Sequence, residues 1–161
     1  MTLQLVLSAA SPLVAVVIAL WGFRRRDRAA ELEVLFELHE RYLAQRVRDG
    51  RRLIHRKLAG RGEEGLRSCT AEELSTIGYT LAVMNTIALC CRSGRLDSRL
   101  LQQSLGQSYT RAVNGALSFI DSMETTRGVR PYPYAEWLVR HFSATAPRSW
   151  LPRLPLRPDD V

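Results

Sequence analysis

Leu3 to Phe23 reads LQLVLSAASPLVAVVIALWGF, 21 residues without a charged side chain, and no other feature of the chain constrains its architecture as strongly. At 1.5 Å per residue a helix of that length reaches about 30 Å, the depth of a bilayer's hydrocarbon. Spanning helices tolerate an isolated proline such as Pro12, and Trp21 and Phe23 stand where interfacial aromatics anchor an exit. Leu3, Val14, Val17, Trp21 and Phe23 are therefore expected to anchor the chain in lipid. Arg24, Arg25, Arg26 and Arg28 follow at once, whereas Met1 and Thr2 carry no side-chain charge. The positive-inside bias then predicts an outside N-terminus and a cytoplasmic C-terminal side. A cleaved secretory signal would put cations before the apolar run and an A-x-A-like site after it, and both are missing. The four arginines are also placed to meet anionic headgroups, although topology alone accounts for them.

The 161 residues are expected to divide into an anchor with its juxtamembrane arginines (1–28), a helical domain (29–142) and a proline-rich disordered tail (143–161). One ordinary domain remains, which excludes a multidomain enzyme. A 46% hydrophobic composition excludes general disorder. The net charge of +7 comes almost wholly from arginine, since Lys57 is the only lysine. Cys69, Cys90 and Cys91 are odd in number with two adjacent, a poor basis for a disulfide framework and suited to a reducing compartment.

Behind the anchor the apolar spacing becomes helical. Leu32, Phe36, His39, Leu43, Val47, Gly50, Ile54 and Leu58 recur at three and four, with Leu35, Leu38 and Tyr42 broadening the stripe, which predicts one long amphipathic helix ending at Gly60, with Asp49-Gly50 as a place for a kink or break. GRGEEGLRS, residues 60–68, reads as a loop. Thr70-Ala71-Glu72-Glu73 has the capping-box pattern, and Leu74, Ile77, Leu81, Met84, Ala88 and Cys91 form the seam of what should be the central, most buried helix. Its polar content, Asn85 above all, argues against a second membrane span and requires buried partners for the Asn85 amide. Gly94 and Asp97 then stop one helix and cap the next, expected over Ser98 to Met123 with Gly128 just past its end. Arg130-Pro131-Tyr132-Pro133-Tyr134 reads as an extended connector into a short last helix, Tyr134 to Phe142. The fold predicted is all-α: an N-terminal transmembrane helix followed by a small antiparallel bundle of about four helices.

The segment MNTIALCCRSGRLDSRLL, residues 84–101, followed by a helix leading to an aromatic C-terminal helix, resembles a bacterial family of uncharacterised membrane-anchored helical proteins. The resemblance covers roughly residues 24–142. It implies a single N-terminal anchor and a cytoplasmic helical domain, hence a place in the bacterial inner membrane, and brings no activity, cofactor or catalytic residue with it. Many members carry a glutamate a few residues after the position of Asn85, where this chain has Thr86, Ile87, Ala88 and Leu89.

The residues themselves give no catalytic or metal logic. His39, His55 and His141 are scattered, and no phosphate-cradling loop, dinucleotide fingerprint or nucleophile elbow occurs, so no cofactor is expected. The one charge concentration is Arg46, Arg48, Arg51, Arg52, Arg56 and Lys57, opposed within the run by Asp49 alone. Arg48, Arg52 and Arg56 align on a helix beside Arg51 and form a candidate face for an acidic protein or an anionic lipid. Without interleaved aromatics or a helix-turn-helix, the pattern does not favour nucleic acid. The expectation is a noncatalytic interaction module held to the membrane. The alternative is a small-ligand sensor or cryptic enzyme whose pocket gathers the candidate buried polar residues Asn85, His39 and Tyr109.

Overall fold

The computed structural model describes residues 31–145; the apolar run with Leu3, Val14, Val17, Trp21 and Phe23, the arginines 24–26 and 28, and the chain beyond Thr145 lie outside the described residues. Among the described residues every regular element is a helix. α1 covers residues 31–43, and α2 (Gln45–Leu53) widens at its end into a π-helical turn over Ile54–Leu58. Then follow α3 (Gly62–Arg67), α4 (Ala71–Arg92), α5 (Ser98–Gly115), α6 (Leu117–Arg127) and α7 (Pro133–Thr145). The all-α expectation holds, while the four expected helices become seven segments.

α4 is the element the rest is built on. Its first turn carries the predicted capping box: the Glu73 amide donates to Thr70 Oγ1 at 3.2 Å, and the Thr70 amide donates to Glu73 Oε2 at 2.8 Å. Lys57 Nζ lies 2.6 Å from the same carboxylate oxygen, and that bond holds the Glu73 carboxyl below its ordinary range. Further along, Ile77 and Leu81 enter a core with Ile54, Leu58, Phe119 and Ile120. Met84, Ile87, Ala88 and Cys91 enter a larger one with Leu38, Tyr42, Val47, Tyr109, Leu138 and Phe142. Each such Leu or Ile removed from water contributes about 1.5–3 kcal/mol. By length and composition alone α4 could cross a membrane, but Ile77, Leu81, Met84, Ile87, Ala88 and Cys91 of its apolar residues are taken up by these two cores.

The expected single helix from Ala29 to Gly60 breaks at Ala44, whose ψ of 143° is extended, and not at Asp49-Gly50. The break shifts the helical phase. Leu38 and Tyr42, from the broadened edge of the predicted stripe, turn inward, while Leu32, Phe36 and Leu43 from its centre are 47%, 70% and 45% exposed. Gly50 has a different role from the one its spacing implied. A Cβ there would lie 2.0 Å from Thr80 Oγ1 and 2.9 Å from the Thr76 carbonyl oxygen, so glycine lets α2 lie directly on α4. Thr80, fully buried, donates its hydroxyl to the same Thr76 carbonyl at 2.9 Å and leaves no polar atom stranded.

Three further expectations are corrected. The 60–68 loop contains α3, acidic in its first turn and basic in its last, which complements the helix dipole. The helix from Ser98 divides at Ala116 (φ −100°, ψ 5°), because α5 supplies Leu101, Leu105, Tyr109 and Val113 to the large core whereas Ala116, Phe119 and Ile120 belong to the small one. The connector before α7 is not extended throughout. Tyr132 takes φ 57°, a left-handed conformation that costs about 1–3 kcal/mol for a residue of this kind. Its ring packs against both cores and its hydroxyl donates to the Gly78 carbonyl at 3.2 Å, which holds it there. Gly128 caps α6 with φ 71°, as its position predicted, and α7 runs three residues past Phe142 to Thr145.

Gly50→Ala separates two opposing effects. Helix propensity alone would make it stabilising by about 1 kcal/mol, whereas the contact with Thr80 makes it an overpacking lesion of about 1–3 kcal/mol. We expect a lower urea midpoint for Gly50→Ala, partly restored when Thr80→Ala is added. A raised midpoint would show that α2 and α4 do not meet at this distance.

Candidate functional site

The basic run of α2 and its π-helical turn is sorted by the fold into tied and free members. Arg46 lies over the Tyr79 ring, 4.3 Å from its centroid, and Lys57 is bound to Glu73. Arg51 is turned inward: its guanidinium stacks 4.1 Å from the Tyr42 centroid and Nη1 donates to Ser108 Oγ at 2.8 Å, an oxygen that also receives the Tyr42 hydroxyl at 3.0 Å. Arg51 therefore fastens α2 to α1 and α5 and does not belong to the open face expected for it. Arg48, Arg52 and Arg56 remain exposed. Arg48 donates to Gln45 at 2.7 Å, and Arg52 meets Asp49 only at 3.5 Å. Pairs so solvated hold the charges weakly.

Arg48 adjoins the apolar side chains released by the break at Ala44. A shallow depression of about 610 Å³ is lined by Phe36, His39, Glu40, Leu43, Gln45 and Arg48. His39, expected in the core, is half-exposed here because the phase shift that buries Leu38 and Tyr42 carries it outward. A phenylalanine 70% exposed beside a leucine 45% exposed is an uncommon use of apolar surface. Aromatic and arginine side chains side by side are the composition enriched at protein interfaces.

Asn85, Tyr109 and His39 do not converge. Asn85 Oδ1 accepts from the Tyr134 and Ala135 amides at 3.0 and 3.2 Å and so caps the N-terminus of α7 across the bundle. Pro133 opens that helix, so the cap serves the first amides free to donate. Tyr109, fully buried, donates its hydroxyl to the Met84 carbonyl at 2.8 Å, and burial raises its pKa well above the ordinary value. Both polar groups are occupied by backbone. Cys91 is equally unsuited to nucleophilic work, because burial, with smaller contributions from Cys90 and Asp97, pushes its thiol up to about 12. No group of three metal-ligating side chains occurs among the described residues.

Two contacts had no signal in the sequence. Arg130 binds Glu136 at 2.8 Å, Asp121 at 2.9 Å and Glu124, which fastens α6 to the start of α7 and raises the arginine's pKa. Glu31, in the first turn of described chain, accepts from the Asp97 amide at 2.6 Å. Spacings of 6, 9 and 66 residues follow no helical period.

Asn85→Ala should cost about 1–2 kcal/mol through loss of the α7 cap, whereas Asn85→Asp, which keeps the acceptor, should cost markedly less. Chemical denaturation checks both. Equal losses would mean that the side chain acts by packing and not as a cap.

The family described as a domain of unknown function, DUF4760, matches residues 9–142. No curated protein and no solved structure matches the chain. The matched span begins inside the uncharged run and ends within α7, so it takes in α1 to α6 and α7 as far as Phe142, and the chain belongs to the DUF4760 family.

Proposed function

We propose that this chain is a single-pass protein of the bacterial cytoplasmic membrane, anchored by Leu3–Phe23 with its N-terminus outside, and that its cytoplasmic helical domain is a noncatalytic module that recruits an acidic protein partner. The observation that carries the reading is the face on which exposed Phe36 and Leu43 adjoin Arg48, with Arg52 and Arg56 continuing along α2 and its π-helical turn. The apolar pair supplies desolvated contact area and the arginines supply long-range attraction and orientation for a carboxylate-rich surface. The four arginines that follow the uncharged run support the orientation. The family match supports treating the run and the helical domain as one architecture, because it begins within the run.

The test is crosslinking in intact membranes with a photoreactive residue in place of His39, at the centre of the face. The full-length chain should give a discrete adduct. Arg48→Glu, Arg52→Glu and Arg56→Glu together should reduce its yield about tenfold, the effect of some 1.4 kcal/mol of lost affinity, and Phe36→Glu should do so independently. An adduct of unchanged yield in both variants would remove this face from the function.

A further inference from the structure

The end of the bundle where α4 gives way to α5 carries a second group of arginines that the sequence did not single out. Arg92 closes α4, Arg95 lies in the turn, and Arg99 stands in the first turn of α5; all three are exposed, and none forms an ion pair among the described residues. The two acids nearby are engaged with backbone. Asp97 caps α5 by accepting from the Arg99 amide at 2.8 Å, and Glu31 accepts from the Asp97 amide at 2.6 Å. Leu100, 37% exposed, and the Arg92 guanidinium, 5.5 Å from the Trp137 ring and 5.7 Å from that of Tyr134, complete a basic surface interrupted by apolar groups.

The Glu31 bond fixes where this surface lies along the chain. Residues 24–30 separate Glu31 from Phe23, a stretch that reaches about 10 Å if helical and at most about 25 Å if extended. The α4–α5 turn is thus tethered close to the end of the uncharged run. The start of α4, joined to Lys57 and α3, lies a helix length away, about 33 Å for the 22 residues of α4.

We propose that Arg92, Arg95 and Arg99 form a lipid-docking face that lies on the anionic headgroups of the cytoplasmic leaflet and holds the bundle upright on the membrane with α4 directed away from it. The proposal rests on the reading that residues 3–23 are lodged in the bilayer. Two arguments select lipid as the occupant. The tether is too short to carry the turn far from the surface, and the exposed charge has the sign opposite to that leaflet.

The experiment uses the full chain with its native cysteines removed (Cys69→Ala, Cys90→Ala, Cys91→Ala) and a fluorophore on either Ser93→Cys or Ser68→Cys. Each is reconstituted in phosphatidylcholine vesicles with or without phosphatidylglycerol, and quenching by headgroup-labelled nitroxide lipid is read. Quenching at position 93 should exceed that at 68 several-fold in the anionic vesicles. It should fall to the level of 68 with Arg95→Glu and Arg99→Glu, and persist with Arg95→Lys and Arg99→Lys, which keep the charge. Equal quenching at 93 and 68, in a chain that still resists alkaline extraction, overturns the face and leaves the anchor standing. If alkali strips the chain, the anchor reading fails; quenching at 93 that is selective for anionic vesicles and salt-sensitive before stripping then still supports the face, and its absence overturns it.

Discussion

Burial of one face of α4 along its whole length, in two successive cores, is the constraint on which the other helices depend. Ile77 and Leu81 hold the π-helical turn and α6, while Met84, Ile87, Ala88 and Cys91 hold α1, α5 and α7. The apolar residues of that buried face, together with Tyr79 and Leu89 on the exposed one, give the helix a composition that by itself satisfies the requirements of a membrane span. Its polar side chains are reconciled with burial one at a time. The Thr80 hydroxyl bonds a carbonyl of its own helix, and Asn85 supplies the cap that α7 lacks. Gly50 completes the arrangement by removing the side chain that would keep α2 at a distance.

The surface follows from the interruptions in the helices around α4. Because α1 and α2 are out of phase across Ala44, the residues that continue the apolar stripe of α2 emerge on the outside of α1, next to Arg48. The break at Ala116 has the opposite effect, keeping both halves of a long stripe buried by sending each to its own core. Arg51 and Arg130 show how the excess of arginine is distributed. Arg51, held by a buried ring and a hydroxyl, and Arg130, held by three carboxylates, become structural ties, while arginines on the outer faces stay available.

Much of this was legible in the sequence where a local rule decides the outcome. Thr70 with Glu73, Asp97 before α5, Gly128 after α6 and Pro133 in the first turn of α7 all act within four residues of where they stand, and each appears as predicted. The seam of α4 was readable for the same reason: one uninterrupted helix preserves its period over 22 residues. Ala44 and Tyr132 were not, since neither residue type signals a break or a left-handed backbone; Tyr132 is held by its packing against both cores, and Ala44 is an exposed residue between the buried Tyr42 and Val47. The orientation of Arg51 depends on Ser108, 57 positions away, and no spacing rule links them. For the proposed face, the arginines could be found by counting charge, while the exposure of Phe36 required knowing that the helix is broken.

Because α4 gives its apolar face to two protein cores, its two ends should lie on the same side of the membrane. Single cysteines at Ser68→Cys and Ser93→Cys, one beyond each end of α4, can be labelled with a membrane-impermeant maleimide in sealed vesicles of known orientation. Both should react from the same face of the membrane, the cytoplasmic one. Reaction of the two from opposite faces would mean that α4 crosses the bilayer and would contradict the two-core packing described here.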